Sequence, residues 1–205
     1  MTLVLASASR ARRALLEAAA VAHRVVPVAI DETEVKRAAR AENVSAADTA
    51  MLLAEMKAVR VSRLQPEAVV IGADQILVRD GEWFDKPADR EAARAQLRRL
   101  AGGWHELVTA VYCAAGGAFR WQHLARPRLR MRPLSEAMIE TYLAAEGDIL
   151  LSSVGAYRLE GPGIQLFEAI EGDYFSVLGL PLLPLLGFLR QTLGQDWLGA
   201  PASSR

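Results

Sequence analysis

The sequence predicts an α/β fold in which helices flank a β-sheet. Short valine- and leucine-rich runs alternate along the chain with longer segments whose apolar residues recur at helical spacing. The middle third also carries hairpin signals, so some strands there are expected to pair antiparallel. With 205 residues and 52% hydrophobic content, the chain is long and apolar enough for one sizeable core.

The chain opens with a strand, a polar loop and a helix. Residues 3–6 form a short apolar run typical of a buried strand, and residues 12–20 are strong helix formers. Residues 23–30 alternate and are rich in valine, which predicts a second strand ending at the acidic segment 31–34. Residues 46–62 have apolar side chains at helical spacing, so a second helix is expected there.

The centre of the chain contains the best candidate for a central strand. Residues 69–73 are all apolar or glycine, as is typical of a parallel strand buried on both faces, and residues 76–78 extend the run. A turn is expected at residues 80–81. Residues 90–100 then form a charged amphipathic helix that a Gly-Gly pair follows closely.

A hairpin is predicted next along the chain. Its strands are residues 105–115 and 120–132, joined through Gly116 and Gly117. Ser135 is a suitable N-cap for a helix over residues 136–145.

The rest of the chain is expected to complete a single domain. A glycine-bearing loop over residues 155–163 and an acidic turn at residues 171–173 precede a closing helix near residues 181–193. No internal repeat or linker interrupts the pattern, so one domain is predicted over residues 1–198. The tail, residues 199–205, is predicted to be disordered.

Composition excludes several classes of function. The 24 basic and 24 acidic residues balance, so the sequence predicts no binding to nucleic acid or to an anionic membrane. One cysteine, Cys113, and three histidines give neither a disulfide nor a zinc site. The N-terminus lacks the pattern of a signal peptide, and the apolar stretch 177–189 is broken by prolines and too short to cross a bilayer. A cytoplasmic protein is expected.

A candidate phosphate site lies at the start of the first helix. Ser7 and Ser9 supply hydroxyl groups, Arg12 and Arg13 supply guanidinium groups, and the helix N-terminus supplies free N–H groups. These donors together suit a polyphosphate. The simpler alternative is that Ser9 only caps the helix and both arginines are solvated.

Asp74 follows directly on the apolar run 69–73. Ligands of α/β sheets bind beyond the carboxyl ends of the strands, so a carboxylate here is a candidate for chemistry. Asp74 could bind a divalent cation or orient an attacking water. Alternatively, it could be structural and bond to loop amides.

Four further features have weaker signals. Lys57 and Lys86 could each place a point charge beside phosphate oxygens, although most lysines lie on the surface. The acidic run 31–34 could supply an oxygen ligand for a metal or form a solvated turn. Residues 161–165 could be a substrate loop or a plain turn. His105 is expected to be structural.

Taken in order, these segments resemble the Maf family of nucleotide pyrophosphatases, from Leu3 to about Arg190. Any one segment is a weak signal, but their order makes a chance match improbable. The segments that carry the resemblance are residues 5–9 with Arg12 and Arg13, residues 31–32, 55–58, 71–74, 86–87, 103–105 and 177–182.

The resemblance implies a Maf/Ham1-like fold, with a twisted mixed sheet flanked by helices in two lobes and a central cleft. It implies a homodimer that hydrolyses a nucleoside triphosphate between its α and β phosphates with a divalent cation, magnesium or manganese, with cobalt as an alternative. Asp74 matches the general base of the family, and Glu32 matches an acid near the metal. The phosphate-handling groups match Ser7, Arg12, Lys57 and Lys86, together with Arg13.

The resemblance also bears on the substrate. Members acting on dTTP and UTP usually carry proline and arginine where this chain has Arg10 and Ala11, and threonine in place of Gln75. Gln75 and Glu160 look like the branch that acts on 7-methyl-GTP, whereas Ala11 departs from it because an aromatic residue is usual there. The interpretation leans to 7-methyl-GTP, with dTTP and UTP as the alternative.

Two other classes of protein are rival interpretations. A non-catalytic nucleotide-binding regulator of cell division is an alternative that the family name itself raises. The chain has no Gly-x-Ser-x-Gly elbow and no Gly-x-x-x-x-Gly-Lys-Ser/Thr loop, which argues against an α/β-hydrolase and a P-loop kinase.

Overall fold

The computed structural model describes residues 2–194 and is an α/β fold, as predicted. Within those residues it has eight strands: β1 Thr2–Leu5, β2 Arg24–Val25, β3 Ala68–Arg79, β4 Glu82–Phe84, β5 Trp104–Ala115, β6 Ala118–Ala125, β7 Arg128–Met131 and β8 Phe167–Glu171. Seven α-helices accompany them in the same range: α1 Arg10–Ala18, α2 Glu32–Ala41, α3 Ala46–Leu64, α4 Arg90–Leu100, α5 Glu136–Glu146, α6 Tyr174–Val177 and α7 Leu182–Leu193.

The eight strands form one mixed sheet. Six lie in the order β2, β1, β3, β5, β7 and β8, while β4 pairs with β3 and β6 pairs with β5. The chain also divides into two compact units, and β3 and β5 pass through both. Within the described range, the first unit comprises residues 2–75, 109–125 and 174–194, and the second comprises residues 76–108 and 126–173.

The first unit combines parallel strands with the antiparallel β5–β6 hairpin. β1 pairs in parallel with β2 on one side and with the start of β3 on the other, so that Leu5 lies opposite Ile71. Both side chains are fully buried in an apolar core that also includes Val111 and Leu185. Because β1 ends opposite Ile71 while β3 continues to Arg79, the residues that follow β1 lie beside the middle of β3.

Gly72 sets the distance between β3 and helix α3 in this unit. A Cβ atom at Gly72 would lie 2.1 Å from the carbonyl oxygen of Ala54 and 2.7 Å from the backbone nitrogen of Ala58. Both neighbours are backbone atoms of α3, which cannot give way as a flexible side chain can. Only glycine allows this close contact of helix and strand.

Replacing Gly72 with alanine is expected to destabilise the protein by about 1–3 kcal/mol, because the added methyl group overpacks this contact. Gly187→Ala in α7 is the matched control, since a Cβ there meets nothing within 4 Å. Urea unfolding of both variants measures the effect. Equal stabilities for the two variants would show that α3 does not depend on Gly72.

The second unit is antiparallel. The end of β3 pairs with β4, the start of β5 pairs with β7, and β7 pairs with β8. His105 in β5 is buried and its Nε2 lies 2.8 Å from the hydroxyl oxygen of Tyr157. Burial, followed by the nearby Arg79, lowers the pKa of His105 to about 4, so the imidazole is neutral near pH 7. His105 therefore has the structural role that the sequence predicted.

Several predicted elements are confirmed to within a few residues. These are the strand of β1, the central strand β3, the helices α1, α3, α4, α5 and α7, and the β5–β6 hairpin, whose two turn glycines have positive φ. No helix within residues 2–194 is long and apolar enough to cross a membrane. The predicted disordered tail, residues 199–205, lies outside the described residues.

Other element predictions are wrong in extent or kind. The strand predicted over residues 23–30 is only the two-residue β2, and Pro27 lacks the N–H that a longer ladder needs. The acidic segment predicted as a strand end is the start of a helix, with Asp31 as N-cap. Pro127 separates β6 from β7 where one strand was predicted. Strand β8 and helix α6 were not predicted at all.

Candidate active site

The first unit brings together five of the predicted site residues where β1, β3, α1, α2 and α3 meet. The ladder between β1 and β3 continues past Leu5, since the Ala6 N–H donates to the carbonyl oxygen of Ile71 over 2.8 Å. This places the loop before α1 beside the middle of β3, where Asp74 lies. The five residues are Ser7, Arg12, Glu32, Lys57 and Asp74, each described below.

Arg12 is buried and held by three hydrogen bonds. Its Nε donates to the carbonyl oxygen of Gly179 over 2.7 Å, and its Nη1 donates to the carbonyl oxygen of Ala73 over 2.9 Å and to the hydroxyl of Ser7 over 3.2 Å. Burial lowers the pKa of the guanidinium, and the carboxylates of Asp74 and Glu32 oppose that shift. Nη2 takes part in none of these three bonds, so it is the nitrogen through which Arg12 could bind an anion.

Ser7 and Ser9 stabilise the loop before α1 by accepting hydrogen bonds. The Ser7 hydroxyl oxygen accepts from the backbone N–H of Ser9 over 3.2 Å and from Arg12. Ser9 is the N-cap of α1, because its side chain accepts from the backbone N–H of Arg12. The simpler alternative is therefore right about capping by Ser9 and wrong about solvation of Arg12.

Lys57 lies between two carboxylates. Its Nζ is 2.6 Å from Oδ1 of Asp74 and 2.6 Å from Oε1 of Glu32. Only 8% of the Lys57 side chain is exposed, so this is not a surface lysine. The close contact of α3 with β3 at Gly72 accounts for the position, because Lys57 lies on α3 one residue before Ala58.

Asp74 has one oxygen paired and one unpaired. Its side chain is 4% exposed, Oδ1 accepts from Lys57, and Oδ2 is buried with no hydrogen-bond partner among residues 2–194. A buried carboxylate oxygen without a partner is costly, and such oxygens commonly bind a cation, a water or a proton. The alternative in which Asp74 bonds to loop amides does not account for this geometry.

The carboxylates fit a divalent cation that also binds the substrate. Magnesium commonly takes one or two protein carboxylates and completes its shell with phosphate oxygens and waters. Asp74 and Glu32 provide such a pair, joined through one ammonium group. No group of three or more potential ligands among His, Cys, Asp and Glu occurs within the described range.

Four further predicted site residues lie in α1 and in the second unit. Arg13 is exposed and forms an ion pair with Glu17 over 2.7 Å, one helical turn further on. Lys86 is exposed in the second unit. Glu160, also in the second unit, forms an ion pair with Arg158 over 3.5 Å. Ala11 lies in α1 and is partly exposed.

Helical periodicity separates the two arginines. The buried residues of α1 are Arg12, Leu15 and Leu16, which have the spacing i, i+3, i+4 of one helix face. Arg13 is turned about 100° from that face. The sequence therefore contains a signal that favours Arg12 over Arg13.

Gln75 and Thr109 form a second polar cluster beside the first. The side-chain amide nitrogen of Gln75 donates to the Thr109 hydroxyl over 2.8 Å and to the carbonyl oxygens of Ser176 and Val177, each over 3.1 Å. Thr109 is fully buried, and no feature of the sequence pointed to it.

Comparison with known proteins decides the family. A model of the Maf-like protein family matches residues 2–192. The chain belongs to the Maf family. The match covers nearly all of the described residues, and so includes all five residues of the cluster in the first unit.

Curated Maf relatives are similar to this chain over almost their whole length. A nucleoside triphosphate pyrophosphatase of Granulibacter bethesdensis is 59% identical over 93% of this chain and 97% of the relative. One of the same name from Hyphomonas neptunium is 55% identical over 93% of this chain and 96% of the relative. A 7-methyl-GTP pyrophosphatase of Brucella abortus is 49% identical over 92% of this chain and 95% of the relative.

Proposed function

We propose that this chain is a hydrolase that cleaves nucleoside triphosphates to the monophosphate and pyrophosphate. The observation that carries the proposal is the buried Asp74, whose unpaired oxygen lies next to the ion pair with Lys57. The names of the Granulibacter and Hyphomonas relatives support the same reaction. Attack of water on a polyphosphate requires basic groups that offset the phosphate charge and an acidic group that acts on the water, and this buried site has both.

The basic groups offset the negative charge of the substrate. A triphosphate carries several negative charges that repel an attacking water and that increase on the leaving pyrophosphate. Nη2 of Arg12 can donate to phosphate oxygens, while Nε and Nη1 keep the guanidinium in place. Lys57 adds a second positive charge. Holding the phosphates in a fixed position lowers the barrier before any bond changes.

Asp74 is the proposed general base. Its Oδ2 can accept a proton from the water that attacks the α-phosphorus, since Oδ1 is already occupied by Lys57. The bond between the α-phosphorus and the bridging oxygen then breaks, and pyrophosphate leaves.

A divalent cation completes the proposal. Asp74 and Glu32 would hold it, and a bound cation neutralises phosphate charge and lowers the pKa of a water. Magnesium and manganese are proposed, with cobalt as an alternative.

Lys86 and Arg13 stay as proposed phosphate contacts, supported by the family resemblance. A homodimer and a cytoplasmic location belong to the proposal on the same basis.

The proposed substrate preference is 7-methyl-GTP. Gln75 and Glu160 resemble the branch with that activity, and the Brucella relative bears its name. Ala11 departs from this branch, so dTTP and UTP remain the alternative.

A substrate screen tests the function. Standard and 7-methylated nucleoside triphosphates are incubated with the protein and magnesium or manganese, and phosphate is measured after adding inorganic pyrophosphatase. We expect pyrophosphate release, fastest with 7-methyl-GTP. Faster turnover of dTTP and UTP would favour the other branch. Tight nucleotide binding with no pyrophosphate release would favour a non-catalytic regulator.

A further inference from the structure

The turn that joins α6 to α7 is held by side chains of two strands. The carbonyl oxygen of Ser176 accepts from the hydroxyl of Thr109 over 3.0 Å and from the amide of Gln75 over 3.1 Å. The same oxygen accepts from the backbone N–H of Gly179 over 3.1 Å, which closes the turn. Ser176 and Thr109 are both almost completely buried.

The other end of this turn holds Arg12. The carbonyl oxygen of Gly179 accepts from Nε of Arg12 over 2.7 Å. Gly179 has a φ of +95°, which disfavours other residues, and a Cβ atom there would lie 3.2 Å from Nε. Together with the acceptors of Nη1, the Gly179 carbonyl therefore fixes the direction of the guanidinium plane, and with it the N–H groups left for a phosphate.

We propose that Thr109 and Gln75 are positioning residues for Arg12 and act on it through residues 176–179. This inference rests on the proposed function, because it assigns Arg12 to a phosphate. It also changes the expected role of Gln75. Its side-chain nitrogen has two N–H groups and three acceptors within the protein, so none of its donors is left to bind a base.

Inorganic tripolyphosphate separates positioning from base recognition, because it has phosphates and no base. Its binding is measured by calorimetry for the wild type, Thr109→Val and Gln75→Met. We expect each variant to weaken binding about tenfold, with Thr109→Ser close to wild type because the hydroxyl is kept. Unchanged tripolyphosphate affinity with an altered preference between GTP and 7-methyl-GTP would overturn the proposal and make Gln75 a base-recognising residue.

A double-mutant cycle tests whether the effect passes through Arg12. Thr109→Val and Gln75→Met are each combined with Arg12→Lys, which keeps a positive charge and loses the fixed fork of donors. We expect the tenfold loss of affinity to shrink to less than about twofold in the Arg12→Lys background. An equal loss in both backgrounds would mean that Thr109 and Gln75 act on general stability, and the proposal would be rejected.

Measuring the affinity for tripolyphosphate allows a failure of this inference to be distinguished from a failure of the proposed function. Tripolyphosphate binding does not require turnover, so the cycle can succeed even if no nucleotide is hydrolysed. Turnover of nucleoside triphosphates by the same variants then tests the function. If the function holds, kcat/KM should follow the tripolyphosphate affinities, with the loss for Thr109→Val restored by Thr109→Ser.

Discussion

Replacing Asp74 with asparagine should lower turnover by about 10³-fold while the protein stays folded. The amide keeps the size of the side chain, and its oxygen can still accept from Lys57 at the position of Oδ1. It cannot take a proton from water, and it binds a divalent cation less well than a carboxylate. Steady-state kinetics with magnesium or manganese, and thermal unfolding of the same sample, measure the two parts of the expectation.

Asp148→Asn is the matched control, because it is the same chemical change at an exposed residue of the second unit. It should keep wild-type turnover. If Asp74→Asn also kept normal turnover, Asp74 would have no part in the mechanism.

Replacing Lys57 with methionine should reduce both activity and stability. The change removes the positive charge that lies 2.6 Å from Asp74 and from Glu32. Asp74 would then be a buried carboxylate that has lost its directly paired counter-charge, and removing one partner of a buried pair costs about 3–5 kcal/mol. The loss of phosphate stabilisation should lower turnover by about 10²-fold.

The double variant Lys57→Met with Asp74→Asn isolates the cause of the instability. Removing both partners leaves no buried charge unpaired, so most of the lost stability should return while the activity stays low. Urea unfolding of the single and double variants measures this. Equal instability in the single and double variants would mean that packing by Lys57, and not its charge, supports the site.

The sequence predicted the elements whose patterns are local. Helix α3 and the apolar start of β3 follow from residue periodicity. Asp74 was singled out because it was expected at the carboxyl end of a strand, whereas it lies in the middle of β3, just past the end of β1. Family resemblance then added Lys57 and Glu32, which no local pattern distinguishes from surface residues. The structure explains why they matter, since Gly72 allows α3 close enough for Lys57 to reach Asp74.

The missed features depend on contacts between distant parts of the chain. In the sequence Thr109 is one of many β-strand residues. Its role depends on contacts with Gln75 in β3 and with Ser176, which are distant in the sequence. The helix that begins at Glu32 was not predicted, because it has few apolar residues. Short elements such as β2 and α6 are stabilised by tertiary contacts, and their own sequences carry little signal.

Hydrolysis in oxygen-18 water tests the central claim most directly, because it shows which phosphorus is attacked at the cluster around Asp74. The preferred triphosphate is converted with the metal present, and the products are examined by mass spectrometry. We predict one oxygen-18 atom in the nucleoside monophosphate and none in the pyrophosphate, with no conversion by Asp74→Asn. Label in the pyrophosphate, or orthophosphate and nucleoside diphosphate as the products, would contradict the account.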